Sequence, residues 1–190
     1  MVQPPRLKPL TEKNMSAEQL KAMRELAGGL RGHFNPWGPN AALLRSPELM
    51  ERTQKVGEYL RYKSSIPTRL NEFAILITAR QWTAQTEWHA HHPLALKAGL
   101  DPAVAADLAQ GRRPSGMKDD EAIVYQFCRE IHDDKEVADA TWQAVVDRFG
   151  ERGAMDLVAL TGYYTMLAMV LNVTRPPLPD GAAPPLAALK

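Results

Sequence analysis

Two long apolar segments constrain the fold of this chain more than any other feature of its sequence. Residues 68–80 and 154–173 are apolar on most faces at helical spacing, and both are too long for typical strands. This pattern is typical of helices that are buried on several sides. In a chain of 190 residues, two such helices either form the core together or bury a face against another subunit.

Capping residues, prolines and glycines divide the rest of the chain into further helices. Helix starts are predicted, in chain order, at Ser16, Ser46-Pro47, Pro67, Asp101-Pro102, Asp119 or Asp120, and Asp139 or Thr141. Gly150 is predicted to end one helix, and a last one follows over about 153–173. No segment alternates convincingly as a strand. We therefore predict an all-α chain of about seven or eight helices.

Composition limits the partners and the compartment. The 23 basic and 22 acidic side chains leave a net charge of +1, so a nucleic-acid partner is not expected. No uninterrupted apolar run reaches the roughly 20 residues that cross a bilayer, and the N-terminus does not resemble a secretory signal. We predict a cytoplasmic protein with no membrane partner. Its one cysteine, Cys128, excludes both an intrachain disulfide and a Cys-x-x-Cys dithiol.

The stretch Glu87-Trp88-His89-Ala90-His91-His92 contains three of the chain's five histidines. Residues four positions apart lie on the same face of a helix, so Glu87 and His91 can share one pocket. A carboxylate and an imidazole that tune each other are suited to acid–base chemistry. The alternative is an ordinary helix-stabilising pair.

Several motifs together carry a resemblance to a known family. They are Arg69-Leu-Asn-Glu-Phe-Ala-Ile-Leu, Glu87-Trp88-x-x-His91-x-Pro93-Leu94-Ala95, Gly111-Arg-Arg-Pro114, Asp120-Glu121-Ala-Ile-Val-Tyr, Phe149-Gly-Glu-Arg-Gly153 and Gly162-Tyr163-Tyr164. The chain resembles the carboxymuconolactone decarboxylase family of the alkyl hydroperoxidase D–like superfamily. The resemblance implies an all-helical fold and a homo-oligomer, such as a trimer, a hexamer or a dimer-based ring.

The length of the chain predicts a single domain over residues 1–190, within which the resemblance marks a family-like region. An N-terminal extension and helix occupy 1–33, the family-like region spans 34–180, and a tail covers 181–190. The superfamily's peroxidase branch has a glutamate, two cysteines and a histidine, which fall here on Glu72, Ala84, Glu87 and His91. Both cysteines are missing. A thiol peroxidase needs an attacking thiolate and a resolving thiol, so the residues argue against that activity.

The remaining residues predict cofactor-free decarboxylation, or a related proton transfer, on a small carboxylate or lactone. In this hypothesis His91 carries the proton, Glu87 orients the imidazole of His91, and Glu72 is a second acid–base group. Trp88, Arg80 and His92 are candidate substrate-binding residues. No metal is expected, because the spacing of the histidines splays their imidazoles around a helix. The alternatives are a peroxide-defence protein and a helical oligomer that binds a small molecule without catalysis.

The predicted site depends on a bend in the chain. If residues 68–98 formed one straight helix, Glu72 and His91 would lie about 28 Å apart. They can meet only if the chain turns near 82–86, where Thr83 or Thr86 could cap a new helix, or if a neighbouring subunit completes the site. Otherwise Glu72 is a buried structural acid held by Arg69 or Arg80.

Overall fold

The computed structural model describes residues 4–30 and 32–188, and within them all regular secondary structure is helical. The eight α-helices are α1 (Ala17–Gly28), α2 (Pro39–Leu43), α3 (Pro47–Tyr62), α4 (Thr68–Gln81), α5 (Gln85–Lys97), α6 (Pro102–Ala109), α7 (Asp119–Asp133) and α8 (Asp139–Thr174). A 3-10 turn follows at Pro179–Gly181. The prediction of an all-α chain of seven or eight helices is confirmed. Residues 1–3, 31, 189 and 190, which belong to the predicted extension and tail, lie outside the described part.

Helix α4 lies at the centre of the fold, packed against α5, α6, α7 and α8. Every residue from 70 to 80 is buried, as its nearly uniform apolar character predicts. The second apolar segment belongs to α8, whose Leu157, Leu160 and Leu167 join the same core. The two segments therefore form the core together. Along the other side of α8, Met155, Val158, Met169 and Val173 remain exposed.

Helix α8 contains a sharp local break at the predicted position. Gly150 has φ of 70° and ψ of 170°, which divides the 36-residue element into two helical parts. A side chain at that φ would be strained, so glycine suits the position. Close packing continues at Gly153, where an added Cβ would lie 2.4 Å from Cβ of Phe149. Here sequence and structure agree that one helix ends and another begins.

By length and composition alone, α8 could cross a membrane. An 18-residue window within it has a mean hydropathy of 1.5, and 56% of that window is buried inside the protein. Core helices of soluble proteins meet the same criterion. The sequence analysis considered only uninterrupted apolar runs and therefore identified no segment that could cross a membrane. Helix α8 shows that this criterion is too narrow, because its apolar residues are interrupted by a few polar ones. The absence of a membrane partner stays a prediction.

A short helix, α2, lies between α1 and α3 and begins within a segment rich in glycine and proline. Pro39 follows Gly38 at the start of α2, a position where proline is favoured because its missing N–H needs no partner. Asn40, Ala41 and Leu43 are buried in this short element. No helix start was predicted here, and the helix matters because it brings Asn40 towards the interior.

The chain turns between α4 and α5, within the range predicted. Thr83 adopts a left-handed conformation with φ of 48°, and the backbone N–H of Ala84 donates to the carbonyl oxygen of Ala79 at 2.8 Å. Ala84 is the N-cap of α5, and no side chain caps that end. The predicted capping by Thr83 or Thr86 was therefore wrong, although the bend itself is present. The bend folds α5 back against α4.

Asp156 connects α8 to the segment between α3 and α4. Its carboxylate accepts hydrogen bonds from the Ser65 backbone N–H at 2.8 Å, Ser65 Oγ at 2.8 Å, Tyr59 Oη at 3.0 Å and Ser64 Oγ at 3.2 Å. Burial alone would raise the pKa of the Asp156 carboxyl. The hydrogen bonds outweigh that effect and hold the pKa below its ordinary value.

We expect Asp156→Ala to lower the free energy of unfolding by about 2 kcal/mol at neutral pH, because it leaves several partly buried donors without their acceptor. The depressed pKa means that this contribution is present above the unfolded pKa of about 4 and is lost as the pH falls further. Urea unfolding followed by circular dichroism measures both effects. Asp147→Ala, at an exposed position on the same helix, should change stability by less than about 0.5 kcal/mol. Equal losses in the two variants would contradict the prediction.

Candidate active site

A buried carboxylate–imidazole pair joins α4 to α5. Oε2 of Glu72 lies 2.7 Å from Nδ1 of His91, and the two residues are only 5% and 8% exposed. A carboxylate on Nδ1 fixes the orientation of the ring and the tautomer of the imidazole. The pairing forms within one chain, so no neighbouring subunit is needed to bring these two residues together.

The structure exchanges the roles expected of the two glutamates. Glu87 is 4% exposed, and neither of its carboxylate oxygens has a hydrogen-bond partner among the described residues. Glu87 is therefore not the orienting partner of His91. The two residues do not form a helix-stabilising pair on the protein surface either. Glu72 orients the imidazole instead, because the bend places α4 alongside α5.

The arginines expected near Glu72 have other partners. Arg69 forms ion pairs with Asp120 and Glu121. Arg80 donates to the carbonyl oxygen of Ala187 at 2.9 Å and lies 2% exposed. The interpretation of Glu72 as a structural acid held by either arginine is thus wrong.

Burial raises the pKa of the Glu87 carboxyl well above its ordinary value. No ion pair or hydrogen bond offsets the cost of ionising this group. Burial therefore favours the protonated form of Glu87 over the carboxylate. A protonated carboxyl can donate a hydrogen bond, and it can deliver a proton to a ligand beside it.

Glu87 and His91 open onto one cavity of about 360 Å³. It is lined by Leu26, His33, Asn35, Gly38, Pro39, Asn40, Arg61, Tyr62, Thr86, Glu87, Ala90, His91, Leu94, Tyr164, Leu167 and Leu171. Glu72 is not among the lining residues, and it contacts His91 from the side of α4. The arrangement is a mostly apolar pocket with a few polar groups, which is typical of small-molecule sites.

Tyr164 supports the imidazole from α8. Its ring meets that of His91 edge to face at a centroid distance of 5.1 Å. Burial raises the pKa of the Tyr164 hydroxyl, and the nearby Glu72 and Glu87 raise it further against the opposing charge of Arg61. The hydroxyl is consequently a neutral phenol. Tyr164 thus packs His91 in place and adds no charge to the cavity.

Three predicted substrate-binding residues lie away from this cavity. Trp88 is 3% exposed and stacks on His92, with centroids 5.7 Å apart. Arg80 points towards the tail, as its bond to Ala187 shows. None of Trp88, Arg80 and His92 lines the cavity that contains Glu87 and His91. Their role in binding substrate stays a prediction that the cavity does not support.

Sequence reasoning missed several polar residues of the cavity wall, among them Asn40 from α2 and Arg61 from the last turn of α3, together with His33, Asn35 and Thr86. No spacing rule connects Asn40 and Arg61 to the residues around His91, since they reach the cavity only through tertiary packing. A weak signal for Asn40 was the aromatic and proline-rich segment before it, because loops seldom carry such residues without a role.

The described residues contain no group of three or more histidine, cysteine, aspartate or glutamate side chains positioned to share a metal ion. The expectation that the protein uses no metal stays a prediction. A second cavity, of about 580 Å³, lies beside the bend between α4 and α5 and is lined in part by the C-terminal segment. It shares Thr86 and Leu171 with the first cavity but contains neither Glu87 nor His91.

Comparison with solved structures supports the fold. No model of a protein family matches the sequence, and no curated protein matches it either. The structure is similar to that of an uncharacterized peroxidase-related protein from Silicibacter sp. TM1040, with a TM-score of 0.73 and 16% sequence identity. The match covers 92% of this chain and 91% of that one. At this identity the likeness shows the fold, which is consistent with the predicted alkyl hydroperoxidase D–like fold.

Proposed function

We propose that this protein is a cofactor-free acid–base enzyme of the carboxymuconolactone decarboxylase type, acting on a small carboxylate or lactone. The observation that carries the proposal is the 2.7 Å contact between Glu72 and His91 beside a cavity that also contains the unpaired Glu87. These groups offer an oriented imidazole and a neutral carboxylic acid within one pocket.

Decarboxylation uses the two groups in complementary ways. When the bond between a carbon and its carboxylate breaks, CO₂ leaves and the bonding electron pair passes into an adjacent conjugated carbonyl. Glu87, in its protonated form, can donate a hydrogen bond to the resulting enolate oxygen. His91 then gives a proton to the carbon, while Glu72 stabilises the orientation of the ring, and a proton from water restores the starting state.

Thiol-dependent peroxidase activity is the alternative that the printed name of the structural neighbour suggests. Cys128 is fully buried on α7, and its Sγ lies 3.7 Å from Oγ1 of Thr161. Burial raises the pKa of the Cys128 thiol to about 12. A nucleophilic thiolate is therefore scarce at neutral pH, and no second cysteine is available to resolve a sulfenic acid. The residues do not support this alternative.

A helical oligomer that binds a small molecule without turning it over is the remaining alternative. The cavity would serve either function, but a pair placed for proton transfer favours catalysis. We keep the homo-oligomer as part of the proposal. Its support is the exposed apolar side chains along α8 at Met155, Val158, Met169 and Val173. A cytoplasmic location and the absence of a nucleic-acid partner likewise stay predictions.

An assay that follows CO₂ and deuterium tests the proposal. Purified protein is incubated in D₂O with carboxymuconolactone and with a panel of β-keto acids. We expect CO₂ release above the spontaneous rate for at least one compound, with one deuterium placed on the carbon that lost the carboxylate. No release or exchange with any compound, from protein shown to be folded by circular dichroism, would contradict the proposal and favour the non-catalytic binder.

A further inference from the structure

We propose that Arg61 and Asn40 form the ligand-recognition end of this cavity, and that its ligand is a small acid carrying both a carboxylate and a hydrogen-bond-donating hydroxyl or amide. The inference rests on the proposed function, since it concerns the same cavity. It adds the two residues that select the ligand and the chemical groups that they select.

Arg61 is a cation without a carboxylate partner in the cavity wall. Among the described residues, no acidic group lies within ion-pair distance of its guanidinium, which instead lies 5.3 Å from the centre of the Tyr62 ring. Its charge nevertheless acts on the hydroxyl of Tyr164 within the cavity. A half-buried guanidinium facing apolar walls attracts an anion strongly, and its planar geometry matches a carboxylate.

Glu87 does not supply that anion. Its carboxyl forms no ion pair or hydrogen bond, and burial favours its uncharged, protonated form. The negative charge of Glu72 is likewise engaged by His91. The positive charge of Arg61 is thus left for the ligand.

Asn40 supplies the second recognition group. The residue is 9% exposed, and its Oδ1 is buried without a hydrogen-bond partner among the described residues. An unsatisfied buried acceptor is costly, so a ligand that brings a donor gains free energy by satisfying it. A hydroxyl or an amide N–H meets this requirement, whereas an ether or ester oxygen does not.

The rest of the wall limits the body of the ligand. Ala90, Leu94, Leu167 and Leu171 line the cavity with apolar surface, and the rings of Tyr62 and Tyr164 border it. The polar side chains of His33, Asn35 and Thr86 complete the wall. A volume of about 360 Å³ suits a molecule of roughly a dozen non-hydrogen atoms. A flat or cyclic hydroxy acid combines these properties.

Three matched probes separate the contributions. Para-hydroxybenzoate has the anion and the donor, para-hydroxybenzamide lacks the negative charge, and para-methoxybenzoate lacks the hydroxyl donor. Isothermal titration calorimetry on the folded wild-type protein should show that para-hydroxybenzoate binds about tenfold more tightly than either analogue. No saturable binding of para-hydroxybenzoate below about 10 mM would overturn the proposal.

Variants assign each preference to its residue. In Arg61→Gln the preference for the acid over the amide should fall to within about twofold, while Arg61→Lys should retain part of it. Arg52→Gln is the matched control, because Arg52 lies exposed on the same helix and should leave every ratio unchanged. In Asn40→Leu the preference for hydroxyl over methoxy should disappear. If Arg61→Gln keeps the preference for the acid over the amide, the inference is overturned. This result decides the question even if Asn40→Leu does not fold.

The binding experiment and the turnover experiment test the two proposals independently. If no compound is turned over but the charge preference depends on Arg61, the proposed function is wrong and the recognition site stands. If turnover occurs and depends on His91, but the binding preferences do not change in the Arg61 and Asn40 variants, the proposed function stands and the recognition site is wrong.

Discussion

Replacing His91 with Gln is expected to lower kcat by about two to four orders of magnitude on any substrate that the protein decarboxylates. Glutamine nearly fills the space of the imidazole and can still accept or donate a hydrogen bond. It cannot carry a proton between ligand and solvent near neutral pH. KM should change much less than kcat, because the lost interaction belongs to the transition state.

Two substitutions of Glu72, the partner of the His91 imidazole, are expected to lower kcat by different amounts. Glu72→Gln retains an amide oxygen that can accept from Nδ1 of His91, so the ring keeps its orientation and loses only the adjacent charge. Glu72→Ala loses both and should be the slower variant by about tenfold. A merely structural role for Glu72 would affect protein stability without changing the pH profile of kcat.

The neighbouring histidine provides the control for this series. His89 lies two residues before His91 on α5 and does not line the cavity, so His89→Gln should keep nearly wild-type kcat. Added imidazole should restore part of the turnover of His91→Ala, since the cavity left by the side chain can admit it. Undiminished turnover in His91→Gln would exclude His91 as the proton carrier.

The regular parts of the fold could be predicted because their signals are local. The apolar residues 68–80 give a buried helix whatever packs around it, and Gly150 ends a helix because its backbone conformation suits glycine. The bend near residue 83 could be predicted only as a condition for Glu72 to reach His91. Its conformation, with Thr83 at positive φ and Ala84 as the N-cap, carries no recognisable sequence signal.

The candidate site was less predictable because it is assembled by tertiary packing. Helical spacing pairs Glu87 with His91, and within an isolated helix that inference is sound. The bend supplies a better partner from α4, which leaves Glu87 unpaired at the cavity. Asn40 and Arg61 reach the same cavity from α2 and α3, and no periodicity links these positions.

Replacing Glu87 with Gln is expected to stabilise the protein at neutral and alkaline pH. In the native state Glu87 stays protonated well above pH 4.5, its ordinary pKa, whereas in the unfolded chain it ionises near that value. The folded state therefore binds the extra proton, and wild-type stability falls as the pH rises through this range. The slope is about 1.4 kcal/mol per pH unit until the native group also ionises.

Glutamine has nearly the same shape and does not titrate, so Glu87→Gln should lose this slope. Wild type and Glu87→Gln should have similar free energies of unfolding at about pH 4. At about pH 8 the free energy of unfolding of the variant should be higher by over ~1 kcal/mol. Urea unfolding across this range measures the difference. The exposed Glu151→Gln should follow the wild-type curve. Parallel curves for wild type and Glu87→Gln would show that Glu87 is not a buried, protonated acid.

The same substitution separates a catalytic Glu87 from a purely structural one. An amide N–H is a weaker hydrogen-bond donor to an enolate oxygen than a carboxylic acid O–H, so kcat should fall as stability rises. A residue retained only for packing would gain stability with no loss of turnover. A buried carboxyl that costs stability and supports catalysis is the trade-off expected of an active site, where function maintains a group that folding alone would replace.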